Sequence, residues 1–153
     1  IRAADVTLKQ DPSQHGFSVD NYKPDESLIS GYAQVRSNLG TPQILLVVDE
    51  AICSFSGVDE YHSGNCFPSQ DVKLGNATTW FPENERTSSF RLTGIFDDRV
   101  AAVDIVEDKK PPIEIPSNIL ELREVSSGPL TIIGLDREGS ELFHRSVAID
   151  RGP

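Results

Sequence analysis

The sequence predicts a mainly β fold: an antiparallel β-sandwich or open barrel with one amino-terminal α-helix, in a single β-rich domain spanning 1–153. Three observations carry that expectation. Apolar and polar residues alternate with period two through most of the second half of the chain, as in Ile119-Leu120-Glu121-Leu122-Arg123 and Leu130-Thr131-Ile132. Turn chemistry separates the alternating runs, with Asp136-Arg137-Glu138-Gly139 as the clearest hairpin signal. The strongest apolar run, Gln43-Ile44-Leu45-Leu46-Val47-Val48-Asp49, is β-branched and too short for a membrane span, which suits a central strand covered on both faces.

In chain order, 1–23 is weakly patterned, and Asp11-Pro12-Ser13-Gln14-His15-Gly16 is loop chemistry. After Pro24, the acids Asp25 and Glu26 and the cap candidate Ser27 precede Leu28, Ile29, Tyr32, Ala33 and Val35, whose spacing makes one helical face. A helix is expected from about Glu26 to Ser37, stopped near Gly40-Thr41-Pro42, with Gly31 its weak point. The apolar run then turns at Asp49-Glu50 into Ala51-Ile52-Cys53-Ser54-Phe55. A helical turn is expected within Phe67-Pro68-Ser69-Gln70-Asp71-Val72, closed by Gly75-Asn76, followed by a short strand at Thr78-Thr79-Trp80-Phe81. Phe90-Arg91-Leu92-Thr93 and Ala101-Ala102-Val103-Asp104-Ile105 read as the arms of a hairpin joined at Asp97-Asp98. Strands at Ile113-Glu114-Ile115, Ile119 to Val125, Leu130 to Leu135 and Glu141 to Val147 complete the set.

A chain of 153 residues fits one domain, and at this size folding buries roughly 70% of the surface the unfolded form exposes. The formal net charge is −10, from 24 acidic and 14 basic side chains spread over both halves. A diffuse negative surface is repelled by nucleic-acid phosphates and by anionic membrane faces, so neither is an expected partner.

The cysteines are Cys53 and Cys66, flanking a compact loop that contains Gly and Ser. A disulfide between them would persist only in an oxidising compartment and place the protein outside the cytosol, secreted or in a periplasm-like space; two free buried thiols are the alternative. The chain starts at Ile1 and contains no methionine, which suits a mature or trimmed extracytoplasmic piece. A removed signal peptide and a removed amino-terminal membrane anchor would leave the same start.

The order of a strand ending in Cys53, a polar loop, Cys66, the phrase Leu92-Thr93-Gly94-Ile95-Phe96-Asp97-Asp98-Arg99-Val100-Ala101-Ala102-Val103 and the closing Gly134-Leu135-Asp136-Arg137-Glu138-Gly139 resembles a loose group of proteins. These are secreted or membrane-tethered, largely uncharacterised actinobacterial β-rich proteins with a cysteine pair, a "GLVPDGVASV"-like hairpin and an "ALDADG"-like turn. Here Asp97 replaces the proline and Arg99 the turn glycine. The resemblance covers roughly Ile44 to Ile149 and implies an extracytoplasmic β-rich module; its motifs are core and turn residues that lend no catalytic group.

Chemistry-bearing constellations are sparse. Cys53, His62 and Cys66 lack a fourth ligand at zinc spacing, so no metal site is expected. No Gly-x-Ser-x-Gly elbow accompanies His15, His62 or His144. Asp49-Glu50, Asp59-Glu60 and Asp97-Asp98 are adjacent pairs whose side chains point apart in an extended chain, and they read as turn formers rather than an acid–base pair or calcium loop. Asn76-Ala77-Thr78 is a glycosylation sequon with no support from its context. The sequence therefore favours a non-catalytic binding or interaction module of the cell envelope, without cofactor and with a protein or envelope partner. Its candidate contact surface is the loop Val58, Asp59, Glu60, Tyr61 and His62 between the cysteines. A hydrolase with a scattered site and an inhibitor that offers this loop to a protease are the competing readings; oligomeric state is not encoded in any visible pattern.

Overall fold

The period-two alternation becomes strands along most of the chain. The computed structural model describes residues 3–4, 17–20, 24–25, 29–48, 50–56, 63–84, 86 and 88–150. The strands are β1 (Ala3–Ala4), β2 (Phe17–Asp20), β3 (Pro24–Asp25), β4 (Ile29–Arg36), β5 (Pro42–Val48), β6 (Ala51–Ser56), β7 (Ser63–Pro68), β8 (Thr78–Pro82), β9 (Ser89–Ile95), β10 (Ala102–Ile105), β11 (Ile113–Glu114), β12 (Ile119–Ser126), β13 (Gly128–Leu135) and β14 (Glu141–Ile149). Helix α1 (Ser69–Leu74) joins β7 to β8, and a 3-10 turn, Val106–Asp108, follows β10. Among the described residues the strands form a five-stranded sheet, β2-β7-β6-β5-β4, a three-stranded sheet, β12-β9-β8, a four-stranded sheet, β11-β10-β13-β14, and a β1-β3 pair, with no closed barrel. Every pairing is antiparallel. Among the described residues no helix is long and apolar enough to cross a membrane.

Register and burial place the three-stranded sheet between the other two. Phe90, Leu92 and Leu120 share one of its faces and cluster with Val103, Ile105, Leu130, Ile132, Phe143 and Ile149 of the four-stranded sheet. Ile95 and Ile119, paired with each other, point from the opposite face and cluster with Leu45 and Phe67 of the five-stranded sheet and with Val72 and Ala77 around α1. A strand buried on both faces should read as continuous apolar sequence; β5 does, with Ile44, Leu45 and Leu46 all buried. Phe143 sits opposite Gly134 in the β13–β14 pair and stacks on Phe96 at a centroid distance of 5.5 Å. A Cβ at Gly134 would fall 2.3 Å from the Phe143 ring, so the ring needs a glycine there.

Two expected elements are corrected. The helix expected over about Glu26 to Ser37 is strand β4 from Ile29 onward, paired Ala33 to Leu45, Gln34 to Ile44 and Val35 to Gln43; 26–28 lie outside the described residues. Ile29, Gly31, Ala33 and Val35 also alternate with polar neighbours, and a ladder with β5 outweighs a helical spacing weakened by glycine. The proposed hairpin at Asp97-Asp98 is a crossing between sheets: β9 pairs with β8 and β12, whereas β10 pairs with β11 and β13. Phe96, 0% exposed, and Val100, 5% exposed, anchor that crossing in the core between the two sheets, which a tight hairpin turn could not do.

Other expectations stand. β5 and β6 pair from Gln43–Ser56 to Val48–Ala51, turning at 49–50. Gly75, at φ +78, closes α1 in the left-handed region and donates to the Val72 carbonyl. Asp136 Oδ1 accepts from the Glu138 and Ser140 amides to shape the β13–β14 turn, with Gly139 at φ +82. Within 1–23, where no strand was expected beyond Val6 and Leu8, Phe17–Asp20 adds an edge strand to β7; Val6 and Leu8 lie outside the described residues.

Cys53 and Cys66 are bonded, with Cα atoms 4.0 Å apart, at directly opposed positions of β6 and β7, and both are 0% exposed. The bond lies three residue pairs from the 57–62 connection, so it staples the stem of the hairpin. Closing a loop with a sequence separation of 13 restricts the unfolded chain by about 3 kcal/mol. Reducing the bond, or replacing both cysteines by alanine, is therefore expected to lower the unfolding free energy in a urea titration by about that amount; an unchanged midpoint would contradict a structural role.

Candidate functional site

Of the residues singled out in sequence, Cys53 and Cys66 are brought together, and Val58, Asp59, Glu60, Tyr61 and His62 lie outside the described residues. His144 is exposed on β14 with Nδ1 3.5 Å from Glu141 Oε1, a contact that is ionic only when the imidazole is protonated. Among the described residues no group of three or more His, Cys, Asp or Glu is placed to hold a metal ion.

The space between the five-stranded and the middle sheet is closed at one end and open at the other. The closed end is built on Glu121, 1% exposed, on the same face of β12 as Ile119. Ser37 Oγ donates to Glu121 Oε1 at 2.9 Å, Arg91 Nη2 ion-pairs with Oε2, and Arg123 Nη2 stands 3.6 Å from Oε2. Asn38, in the β4–β5 turn, treats β12 as a partner strand: its Nδ2 donates to the Glu121 carbonyl at 3.1 Å and its Oδ1 accepts from the Glu121 amide at 2.6 Å. Ser117 Oγ donates to the Arg36 carbonyl at 2.6 Å. Four polar contacts thus fix the turn of one sheet on the free edge of the other, covering an edge that would otherwise be open to another strand. Arg91 also lies over the Phe81 ring, 5.9 Å from its centroid.

The open end is a cavity of about 330 Å³. Ala33, Leu45, Val47 and Ile52 form one wall, on the inward face of the five-stranded sheet, and Ile95 and Phe96 form the floor. Among the described residues, Asp97, Asp98 and Asn118 are the other lining groups. Asp97 is held by its neighbour: Oδ1 accepts from the Arg99 amide at 3.0 Å, and Oδ2 from Arg99 Nε at 3.0 Å and Nη2 at 2.8 Å. Asn118 Nδ2 donates to Asp98 Oδ1 at 2.8 Å and to the Phe96 carbonyl at 3.0 Å. The crossing that replaced the expected hairpin is what delivers both carboxylates to this opening.

No protein-family model, curated protein or solved structure matches the chain. The functional reading rests on the cavity itself. Its size falls at the small end of the range for ligand sites, and it combines an apolar body with a few placed polar groups. It lies at the β5–β6 turn end of the sheet, whereas the 57–62 connection leaves from the other end of β6, four residues of strand or roughly 13 Å away. Sequence reading placed Asp97 and Asp98 at a turn and missed the rest, because Ala33, Val47, Ile52 and Asn118 carry no chemistry until two sheets bring them together.

Glu121 was missed for the same reason. Burial pushes its carboxyl up, but the hydrogen bonds from Thr41 and Ser37 and the charges of Arg91 and Arg123 outweigh that and hold it below the ordinary glutamate range. A folded-state value lower than the unfolded one stabilises the protein above the unfolded value, and this contribution is lost as pH falls through the lower folded value. Urea titrations from neutral to strongly acidic conditions should show the native chain losing stability across that window. Glu121→Gln should start about 1–3 kcal/mol lower at neutral pH and decline less; parallel profiles would contradict the lock.

Proposed function

We propose that the chain is a non-catalytic binding module acting outside the reducing cytosol, secreted or at the cell envelope, and that the cavity beside Asp97 and Asp98 is its ligand site. The observation that carries this reading is the cavity: apolar walls on two sheets fixed to one another by the Glu121 contacts, with polar groups confined to one side. A site formed by packed sheet elements binds with a reduced ordering cost.

The buried cystine supports an oxidising compartment, since such bonds persist there and are rare in cytosolic proteins. The net charge of −10 supports partners other than nucleic acid or anionic membrane. In this reading the middle and four-stranded sheets are a β-sandwich to which the disulfide-stapled sheet adds a third layer. The kinship with secreted actinobacterial proteins belongs to the same proposal. So does a protein or envelope contact at Val58 to His62, whose flanking strands the cystine holds in register.

A fragment screen followed by amide chemical shifts tests the site. Binding fragments should move the resonances of Ala33, Val47, Ile52 and Asn118 as one group, and Ala33→Trp, at an exposed wall position, should abolish those shifts while preserving the fold. Fragments that bind only elsewhere, or shifts that persist in Ala33→Trp, would overturn it.

A further inference from the structure

We infer that this cavity selects a small organic ammonium: a short hydrocarbon chain ending in a protonated amine, with the chain against Leu45, Val47 and Ile52 and the nitrogen at Asp98. The inference rests on the ligand site proposed above and specifies the chemistry of its occupant.

The charges at the opening are unequal in their engagement. Asp97 is paired with Arg99 through two guanidinium hydrogen bonds and a backbone one, so its charge is matched within the protein. Asp98 receives the neutral Asn118 amide, and among the described residues no cation forms a salt bridge with it. The opening therefore carries one uncompensated negative charge beside an apolar chamber. An anionic ligand meets repulsion there, and a neutral one gains nothing from the carboxylate's charge. An ammonium supplies the missing charge, and its hydrocarbon removes apolar wall from water.

Asn118 makes the arrangement selective in position as well as sign. By donating to both the Phe96 carbonyl and Asp98 Oδ1, it holds the carboxylate to the backbone at the cavity floor and leaves Oδ2 for the ligand. The chain as a whole, at −10, attracts cations from a distance.

Titration of the oxidised full chain with n-hexylammonium, n-hexanol and n-hexanoate at neutral pH and low salt, read by amide shifts, tests this. Hexylammonium should bind at least tenfold more tightly than hexanoate, and each methylene from butylammonium to hexylammonium should tighten binding about threefold to fourfold. Asp98→Asn, which keeps the Asn118 contact, should weaken hexylammonium about fivefold and leave hexanol unchanged. Equal binding of all three probes would overturn the ammonium assignment while leaving the ligand site standing. Binding of none of them in the native chain would remove both. Hexylammonium shifts that persist in Ala33→Trp would place the amine on the acidic surface instead, and would also overturn the inference.

Discussion

Burial of the middle sheet on both faces is the constraint on which the structure depends. A three-stranded sheet needs apolar packing on its faces to be stable, and here each face finds a separate apolar partner: Leu92 and Leu120 toward Val103 and Ile132, Ile95 and Ile119 toward Leu45 and Phe67. The same strands thus serve two cores. The chain must then leave β9 for a different sheet rather than fold back, and Phe96 and Val100 hold that departure in the interior.

Function follows from how the two interlayer spaces are filled. Between the middle and four-stranded sheets the packing is aromatic and close, down to a phenylalanine ring on glycine backbone. Between the middle and five-stranded sheets it changes along the strands, from the polar contacts of Glu121, through Leu45 and Ile119, to an opening beside Asp97 and Asp98. A buried carboxylate with several partners fixes position more than it adds stability, because desolvation offsets much of the attraction. Here that position joins the two sheets whose residues line the cavity.

Much of the fold was legible in the sequence. Alternation and turn residues located β5, β6, α1, β8, β12, β13 and β14, and the short loop between cysteines foreshadowed their pairing, because these features are encoded by neighbours along the chain. The misread elements are those decided by distant partners. Residues 29–36 satisfy helical and strand spacing alike until β5 pairs with them, and Asp97-Asp98 looks like a hairpin turn until β10 is seen to join another sheet. The candidate site was hardly legible, since Glu121 reads as a solvent-side residue of an alternating strand and the cavity walls are ordinary aliphatic positions. A site made by the approach of two sheets leaves no local motif.

Methyl NOEs report the layer order. Ile95 and Ile119 methyls should show NOEs to Leu45, Val35 or Ile52, those of Leu92 and Leu120 should show them to Val103 or Ile132, and none should connect Leu45 with Ile132. NOEs between Leu45 and Ile132 would put the outer sheets in contact, contradicting both the buried middle layer and the cavity it floors.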